Sequence, residues 1–251
     1  MVSIACRRGL QALVTRPREE AETLAAALAA RAVEALIEPL MEVDFRWTVP
    51  PDLAGVQAVL CTSANGVRAL ARACAKRRLP LLAVGDATAA WARAEGFTAV
   101  ASAGGDATDL VRLAAARLDP RGGRLLHVCG DAVAGDLVGD LRRCGFAVER
   151  SILYQAHPIA ALSPAAVEAI RSGAIDFALF FSPRTAAIFS RLANDAGLAG
   201  CCRGMTALSI STAADAALGA LPWQERCVAE RPDQPMLLAA LDRLLAERRP
   251  D

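Results

Sequence analysis

The 251-residue sequence lacks the features that mark several classes of protein. No apolar run approaches the roughly 20 residues that cross a bilayer, so no association with a membrane is expected. The formal net charge is only +1, from 28 basic and 27 acidic residues, so no overall field attracts the chain to nucleic acid. Only two histidines are present, and neither stands at metal-ligand spacing from another ligand-type side chain. A metal site is therefore not expected, and an anionic ligand must be held by local contacts.

Motifs that identify common enzymes are also missing. Eight cysteines are scattered along the chain without a Cys-x-x-Cys pair, so most are expected to be buried thiols that behave as small hydrophobic side chains. The glycines at 104–105 and 130–135 complete neither Gly-x-Gly-x-x-Gly nor a P-loop, which argues against nucleotide binding. Gly-x-Ser-x-Gly is absent, which argues against a serine hydrolase. Residues 1–8 place their arginines after a very short apolar stretch, the reverse of a secretory signal, and this favours the cytoplasm.

The sequence does contain a regular alternation of apolar β-type runs with Ala/Leu-rich helical stretches. This pattern predicts an α/β architecture, with parallel sheets covered by helices. In the first part of the chain, strands are predicted over 10–15 and 33–39, with a helix that begins at Pro17 between them. The middle part has predicted strands near 56–61, 81–84, 124–129 and 146–149. A length of 251 residues favours two modest domains.

Three segments of the chain occur twice, and their order is rotated. Residues 59–66 resemble 178–185, residues 82–90 resemble 207–214, and residues 13–17 resemble 126–130. Because the order is cyclically permuted, the economical explanation is that one domain is inserted into another. The predicted domains are 1–38 with 160–251, which is discontinuous, and the inserted 48–150, joined by linker strands 39–47 and 151–159. Two such linkers side by side could pair and act as a hinge, and two like domains would enclose a cleft.

Hydroxyl side chains follow the predicted strands of both domains. The ligand crevice of a parallel sheet lies at the carboxyl ends of its strands, where helix N-termini and hydroxyls bind anions. The candidates are Thr62, Ser63, Thr88, Ser182, Ser211 and Thr212. Arg16 follows the first strand and suits a bidentate carboxylate. Each hydroxyl could instead be a plain helix cap, and Arg16 could be an ordinary solvated arginine.

Tyr154 is the only tyrosine in the chain, and it lies on the second predicted linker. Its phenol could donate a proton or a hydrogen bond to a ligand in the cleft. The alternative is an amphipathic linker residue that packs against a domain edge. The sequence leaves both interpretations open.

These residues together resemble uroporphyrinogen-III synthase. The motifs that carry the resemblance are Leu13-Val14-Thr15-Arg16-Pro17, Cys61-Thr62-Ser63-Ala64-Asn65-Gly66-Val67, Val84-Gly85-Asp86-Ala87-Thr88, Tyr154 and Phe181-Ser182-Pro183. The resemblance implies two flavodoxin-like domains, a two-stranded linker, and no metal or organic cofactor. It also implies conversion of hydroxymethylbilane, a linear tetrapyrrole, into uroporphyrinogen III with loss of water and inversion of ring D through a spiro intermediate.

The same resemblance assigns roles to individual residues. Tyr154 matches the tyrosine that assists departure of the substrate hydroxyl, and Arg16 matches the arginine after the first strand. The matching hydroxyls that line the cleft are Thr62, Ser63, Thr88, Ser182 and Thr212. Residues 208–213 depart from the family pattern Ile-Gly-Pro-x-Thr-Ala, which leaves the role of Ser211 open. A monomer that receives its substrate from the preceding enzyme of the pathway is expected.

Two other functions compete with this interpretation. A non-catalytic two-domain protein that binds or senses a small anion would use the same cleft residues without turnover. A phosphoacceptor module of flavodoxin-like fold would need an acidic cluster at one strand end, and the sequence shows none.

Overall fold

The computed structural model describes residues 9–45, 50–132 and 135–248. The described chain forms two compact units. Unit 1 comprises residues up to Glu42 together with those from Pro158 onward, and unit 2 runs from Val43 to His157. Residues 1–8, on which the expectation about a secretory signal depends, lie outside the described residues, as do residues 46–47 of the first predicted linker.

Strands and helices alternate through most of the described residues, as the sequence pattern predicts. In chain order they are β1 (Leu10–Val14), α1 (Arg18–Ala29), β2 (Val33–Ile37), β3 (Met41–Asp44), β4 (Val56–Cys61), α2 (Ala64–Ala73), β5 (Leu81–Ala83), α3 (Asp86–Ala94), β6 (Val100–Ser102), α4 (Ala107–Arg117), β7 (Arg124–Gly130), α5 (Leu137–Arg143), β8 (Val148–Pro158), α6 (Pro164–Arg171), β9 (Phe177–Phe180), α7 (Pro183–Asp195), β10 (Thr206–Ser209), α8 (Thr212–Ala216), β11 (Glu225–Val228) and α9 (Gln234–Glu247).

Each unit is built on one sheet. The order in unit 1 is β11-β10-β9-β1-β2, and all four neighbouring pairs are parallel. In unit 2 the order is β3-β8-β7-β4-β5-β6, and the pairs from β8 to β6 are parallel. Unit 1 has the flavodoxin-type order, in which the direction of strand addition reverses between β1 and β9. The corresponding reversal in unit 2 lies between β7 and β4.

Apolar side chains alternate between the two faces of each sheet and form two cores per unit. In β1, Leu13 packs with α6 and α7 on one face, whereas Ala12 and Val14 pack with α1 and α9 on the other. In unit 2, α2 and α3 cover one face and α4 and α5 cover the other. Because helices cover both faces, the strands are apolar on both sides, as in other α/β proteins.

The structure differs from the sequence-based prediction at two strands, β8 and β6. The strand predicted near 146–149 and the predicted linker strand 151–159 form one strand, β8, whose first part pairs with β7. The other predicted linker strand, 39–47, contains β3, which lies next to β8 in the sheet of unit 2. The three-residue β6 was not predicted, because Val-Ala-Ser is too short to show an alternating pattern.

Candidate functional site

In unit 2, the central feature of the candidate site is a contact between Ser63 and Tyr154. Ser63 follows β4 in an extended conformation and caps α2, where its Oγ accepts a hydrogen bond from the Gly66 N–H at 3.2 Å. Tyr154 lies on β8, and its hydroxyl is 3.0 Å from Ser63 Oγ. The two hydroxyls therefore form a hydrogen bond beside the point where strand order reverses in this sheet, which is where α/β proteins bind ligands.

Glycine permits a close approach at two positions around this contact. The β7–β8 register shifts at Cys129/Gly130, so that Tyr154 lies opposite Gly130. A Cβ atom at Gly130 would lie 2.8 Å from Tyr154 Cε2, and a Cβ atom at Gly66 would lie 3.1 Å from the Val128 carbonyl oxygen. Gly130 is thus required by the close approach of the tyrosine ring. No pattern in the sequence predicts that Gly130 contacts Tyr154.

The surroundings of Tyr154 favour the protonated phenol. Burial raises the pKa of Tyr154 above its ordinary value, and the hydrogen bond with Ser63 opposes this shift only in part. The neighbouring thiols Cys61 and Cys129 are buried as the sequence predicts, and burial raises the pKa of Cys61 to about 12. At neutral pH the phenol is neutral and can act as a hydrogen-bond or proton donor.

The other predicted hydroxyls of unit 2 lie near strand ends. Thr62 is half-buried, directly after β4 and before Ser63. Thr88 is buried in the first turn of α3, which follows β5 with Gly85 at its N-cap. The ends of β4 and β5 are adjacent in the sheet, so Thr88 lies in the strand-end region next to that of Thr62 and Ser63.

Unit 1 repeats the serine cap at two strand ends. Ser182 follows β9 and accepts from the Thr185 N–H at 3.1 Å, and its Oγ is also 2.9 Å from Thr185 Oγ1. Ser211 caps α8 and accepts from the Ala214 N–H at 3.3 Å. Thr212, the first residue of α8, is exposed. Ser211 therefore caps a helix even though residues 208–213 lack the glycine and proline of the family pattern.

Arg16 lies at the end of β1, but it already has partners inside unit 1. Its guanidinium stacks on the Phe181 ring at 4.3 Å and donates to Gln234 Oε1 at 2.9 Å. It also forms an ion pair with Glu20, one helical turn along. These three partners were not predicted from the sequence. Glu20 could have been found from its i,i+4 spacing, whereas Gln234 is distant in the sequence.

The structure thus brings the predicted residues to strand ends within each unit. Thr62, Ser63 and Tyr154 lie together in unit 2, and Arg16 and Ser182 follow the adjacent strands β1 and β9 in unit 1. No group of three potential metal-ligating side chains lies together in the described part of the chain. Within residues 9–45, 50–132 and 135–248, every helix is too short or too polar for a transmembrane span.

The two units have the same strand order, although the chain enters it at different strands. Each unit also has capped helix N-termini at its strand ends. This arrangement defines a two-unit α/β protein with sites suited to a polyanionic ligand. Residues 22–239 match the family model described as Uroporphyrinogen-III synthase HemD. Because this match spans most of the chain, the chain belongs to the uroporphyrinogen-III synthase family. It is an enzyme of haem biosynthesis, a cyclising lyase, and the non-catalytic alternative is not favoured.

Solved structures show the same fold. Uroporphyrinogen-III synthetase from Helicobacter pylori 26695 matches with a TM-score of 0.61 at 16% identity, over 94% of this chain and 99% of that chain. A mutant uroporphyrinogen III synthase from the extremely thermophilic bacterium Thermus thermophilus matches with a TM-score of 0.53 at 20% identity, over 95% of this chain and 100% of that chain. Comparison with curated proteins gave no match.

Proposed function

We propose that this chain converts hydroxymethylbilane into uroporphyrinogen III, and that Tyr154 is the catalytic residue. Beyond family membership, the observation that carries this assignment is the hydrogen bond between the only tyrosine and Ser63, beside the strand-order reversal of unit 2. The phenol is protonated at neutral pH, as a proton donor has to be.

Tyr154 acts on the hydroxyl that leaves the substrate. Its O–H donates to that oxygen, the carbon–oxygen bond breaks, and the hydroxyl departs as water. The remaining cation is an azafulvenium ion, whose positive charge the pyrrole nitrogen stabilises, so modest acid assistance is enough. The proton that ring closure releases returns to the phenolate. Ser63, which is bonded to the phenol and to the Gly66 N–H, holds the hydroxyl in place throughout.

Positioning of the substrate decides the product. Without control, hydroxymethylbilane closes to the unrearranged isomer, so the enzyme has to direct attack to the other carbon of ring D, through a spiro intermediate. The acetate and propionate groups are held by helix N-termini and hydroxyls, from Thr62, Ser63 and Thr88 in unit 2 and from Ser182, Ser211 and Thr212 in unit 1. This distribution of contacts suits a chain whose net charge is only +1.

Arg16 binds a substrate carboxylate by exchange. In the free protein its guanidinium is paired with Glu20, and a substrate carboxylate replaces Glu20 while the stacking on Phe181 remains. The enzyme works as a cytoplasmic monomer and takes the reactive bilane from the preceding enzyme of the pathway.

The decisive test is an isomer assay. Purified protein receives freshly made hydroxymethylbilane without added metal or nucleotide, and the products are separated as isomers I and III. We expect mainly isomer III, with isomer I in a heat-denatured control. Isomer I alone from folded protein would overturn the proposed function.

A further inference from the structure

Phe45 forms an aromatic contact with Tyr154 in unit 2. It follows β3 directly, is half-buried, and packs with Tyr154 against the core that α2 and α3 cover. The two ring centroids are 6.3 Å apart with an interplanar angle of 45°. This tilted geometry is a favourable one for aromatic pairs, which prefer centroid distances of about 4.5 to 7 Å.

Arg72 holds the other side of this contact. It is an exposed residue in the last turn of α2, and its guanidinium lies 4.0 Å from the Phe45 ring centroid. Such stacking contributes about 0.5 to 1 kcal/mol at an exposed site. Because Ser63 caps the same helix, α2 reaches Tyr154 twice: directly through Ser63 at its N-terminus and through Arg72 and Phe45 at its C-terminus.

The phenol has little freedom between these groups. The Gly130 backbone lies against its ring, and the phenol oxygen can move away from Ser63 only if the ring moves. A contact at the ring therefore helps to fix the position of the phenol oxygen.

We propose that Phe45, held by Arg72, is a positioning residue that fixes the ring of Tyr154 and shields its phenol from water. The catalytic consequence rests on the proposed function. The orientation and hydration of the phenol are properties of the free protein and are testable without substrate.

The single tyrosine makes this test sharp, because phenolate absorbance in the ultraviolet reports on Tyr154 alone. In the full chain, Phe45→Leu keeps an apolar side chain and removes the ring. We expect it to lower the pKa of Tyr154 by about one unit through hydration and to lower kcat about tenfold, with KM within about twofold. Phe45→Trp keeps an aromatic ring, so we expect wild-type values for both the pKa of Tyr154 and kcat. Arg72→Lys keeps the charge, loses planar stacking and shows the same change to a smaller extent.

Matched controls separate positioning from general loss of stability. Phe97→Leu removes a buried ring from the same core, and Arg78→Lys alters an exposed arginine that follows α2. Both are expected to leave the titration of Tyr154 unchanged. Fluorine NMR of fluorotyrosine-labelled protein provides a second readout at neutral pH, where Phe45→Leu moves the resonance toward that of an exposed ring.

An unchanged titration and an unchanged fluorine resonance in Phe45→Leu would overturn the positioning role. A changed titration together with a Tyr154→Phe variant that retains the wild-type rate would keep the positioning role and overturn the proposed role of Tyr154 in catalysis.

Discussion

A neutral phenol is useful to this reaction only if it stays protonated and points in one direction. Burial supplies the first property, and the hydrogen bond with Ser63 supplies the second. Ser63 is itself fixed by the Gly66 N–H, so a chain of two hydrogen bonds links the helix N-terminus to the phenol. A histidine–carboxylate pair is not required for a leaving group that is already reactive.

Replacement of Tyr154 tests the proton donor. In Tyr154→Phe the ring remains and the hydroxyl is lost, so we expect kcat to fall about tenfold or more. Ser63 still accepts from Gly66, so the free energy of unfolding should change by no more than about 1 kcal/mol. Single-turnover rates and urea unfolding measure the two effects. A wild-type rate would remove Tyr154 as the donor.

Replacement of Ser63 separates capping from orientation. Ser63→Ala is expected to cost about 1 kcal/mol of stability through the lost cap, and to raise the pKa of Tyr154 further because the bond that lowers it is gone. Activity falls but is not abolished, since orientation is shared among many contacts. Ser211→Ala is the matched control, because it removes a similar cap in unit 1 without a tyrosine partner. If both variants gave the same phenol titration, the Ser63–Tyr154 hydrogen bond would have no effect on the pKa of Tyr154.

His127 makes stability depend on pH. It is buried in β7, and neither ring nitrogen has a hydrogen-bond partner among the residues that the structure describes. Burial, with a smaller effect from Arg150 across the β7–β8 ladder, lowers the pKa of His127 from 6.5 to about 4. Between pH 6.5 and 4 the unfolded chain therefore binds a proton that the folded chain does not bind. The contribution of neutral His127 to the free energy of unfolding is complete above pH 6.5 and is lost as the pH falls toward 4.

The corresponding prediction concerns His127→Leu. Between neutral pH and pH ~4.5, the free energy of unfolding of this variant should fall less than that of wild type. The difference between the two decreases should reach about 3 kcal/mol. The exposed His157 provides the control His157→Asn, which should follow the wild-type curve. Denaturant titrations at several pH values supply the data, and parallel curves for wild type and His127→Leu would contradict the prediction.

At the scale of elements, the β7–β8 register shift determines which residue of β8 contacts Ser63. The shift places Tyr154, rather than Leu153, opposite Gly130. A one-residue slip would turn the tyrosine to the other face of the sheet. Gly130→Ala puts a methyl group 2.8 Å from the ring, so we expect a loss of about 1 to 3 kcal/mol in stability and a displaced phenol with reduced turnover.

Gly204→Ala is the control for this substitution, because no heavy atom lies within 4 Å of the added methyl group. Thermal unfolding and the isomer assay compare the two variants. Wild-type stability and activity in Gly130→Ala would mean that the ring moves at no cost.

The sequence predicts most elements for a physical reason: strands buried on both faces are continuous apolar runs, and most of their helices have Ser, Asp or Pro at the N-cap. The sequence pattern divides Val148–Pro158 into two segments because Glu149 and Arg150 interrupt the apolar pattern near the start of β8. The strand-end positions of the candidate hydroxyls were also predictable. Their contacts were not, since Ser63 and Tyr154 are 91 residues apart and the Phe45–Arg72 stacking depends on side-chain directions.

At the scale of the whole molecule, the rotated repeat corresponds to a rotated strand order. The segments that resemble each other occupy equivalent positions: β1 and β7, β9 and β4, and β10 and β5. With these pairs aligned, the order β11-β10-β9-β1-β2 coincides with β6-β5-β4-β7-β8. The same sheet is thus formed from two different starting points in the chain, which is the relation expected of an insertion.

This relation predicts that the two units can be separated. The chain leaves and re-enters unit 1 at neighbouring points, since the Ile159 N–H donates to the Leu40 carbonyl at 3.1 Å. A linker of about four to six Gly and Ser residues in place of residues 43–157 therefore closes the chain without strain.

Each unit has its own sheet and two cores, so both the closed unit 1 and the isolated segment 43–157 should unfold cooperatively. Neither should form isomer III, because the proposed substrate-binding hydroxyls are divided between them. Circular dichroism with urea unfolding tests folding, and a closed unit 1 without a cooperative transition would show that it depends on the inserted unit for its stability.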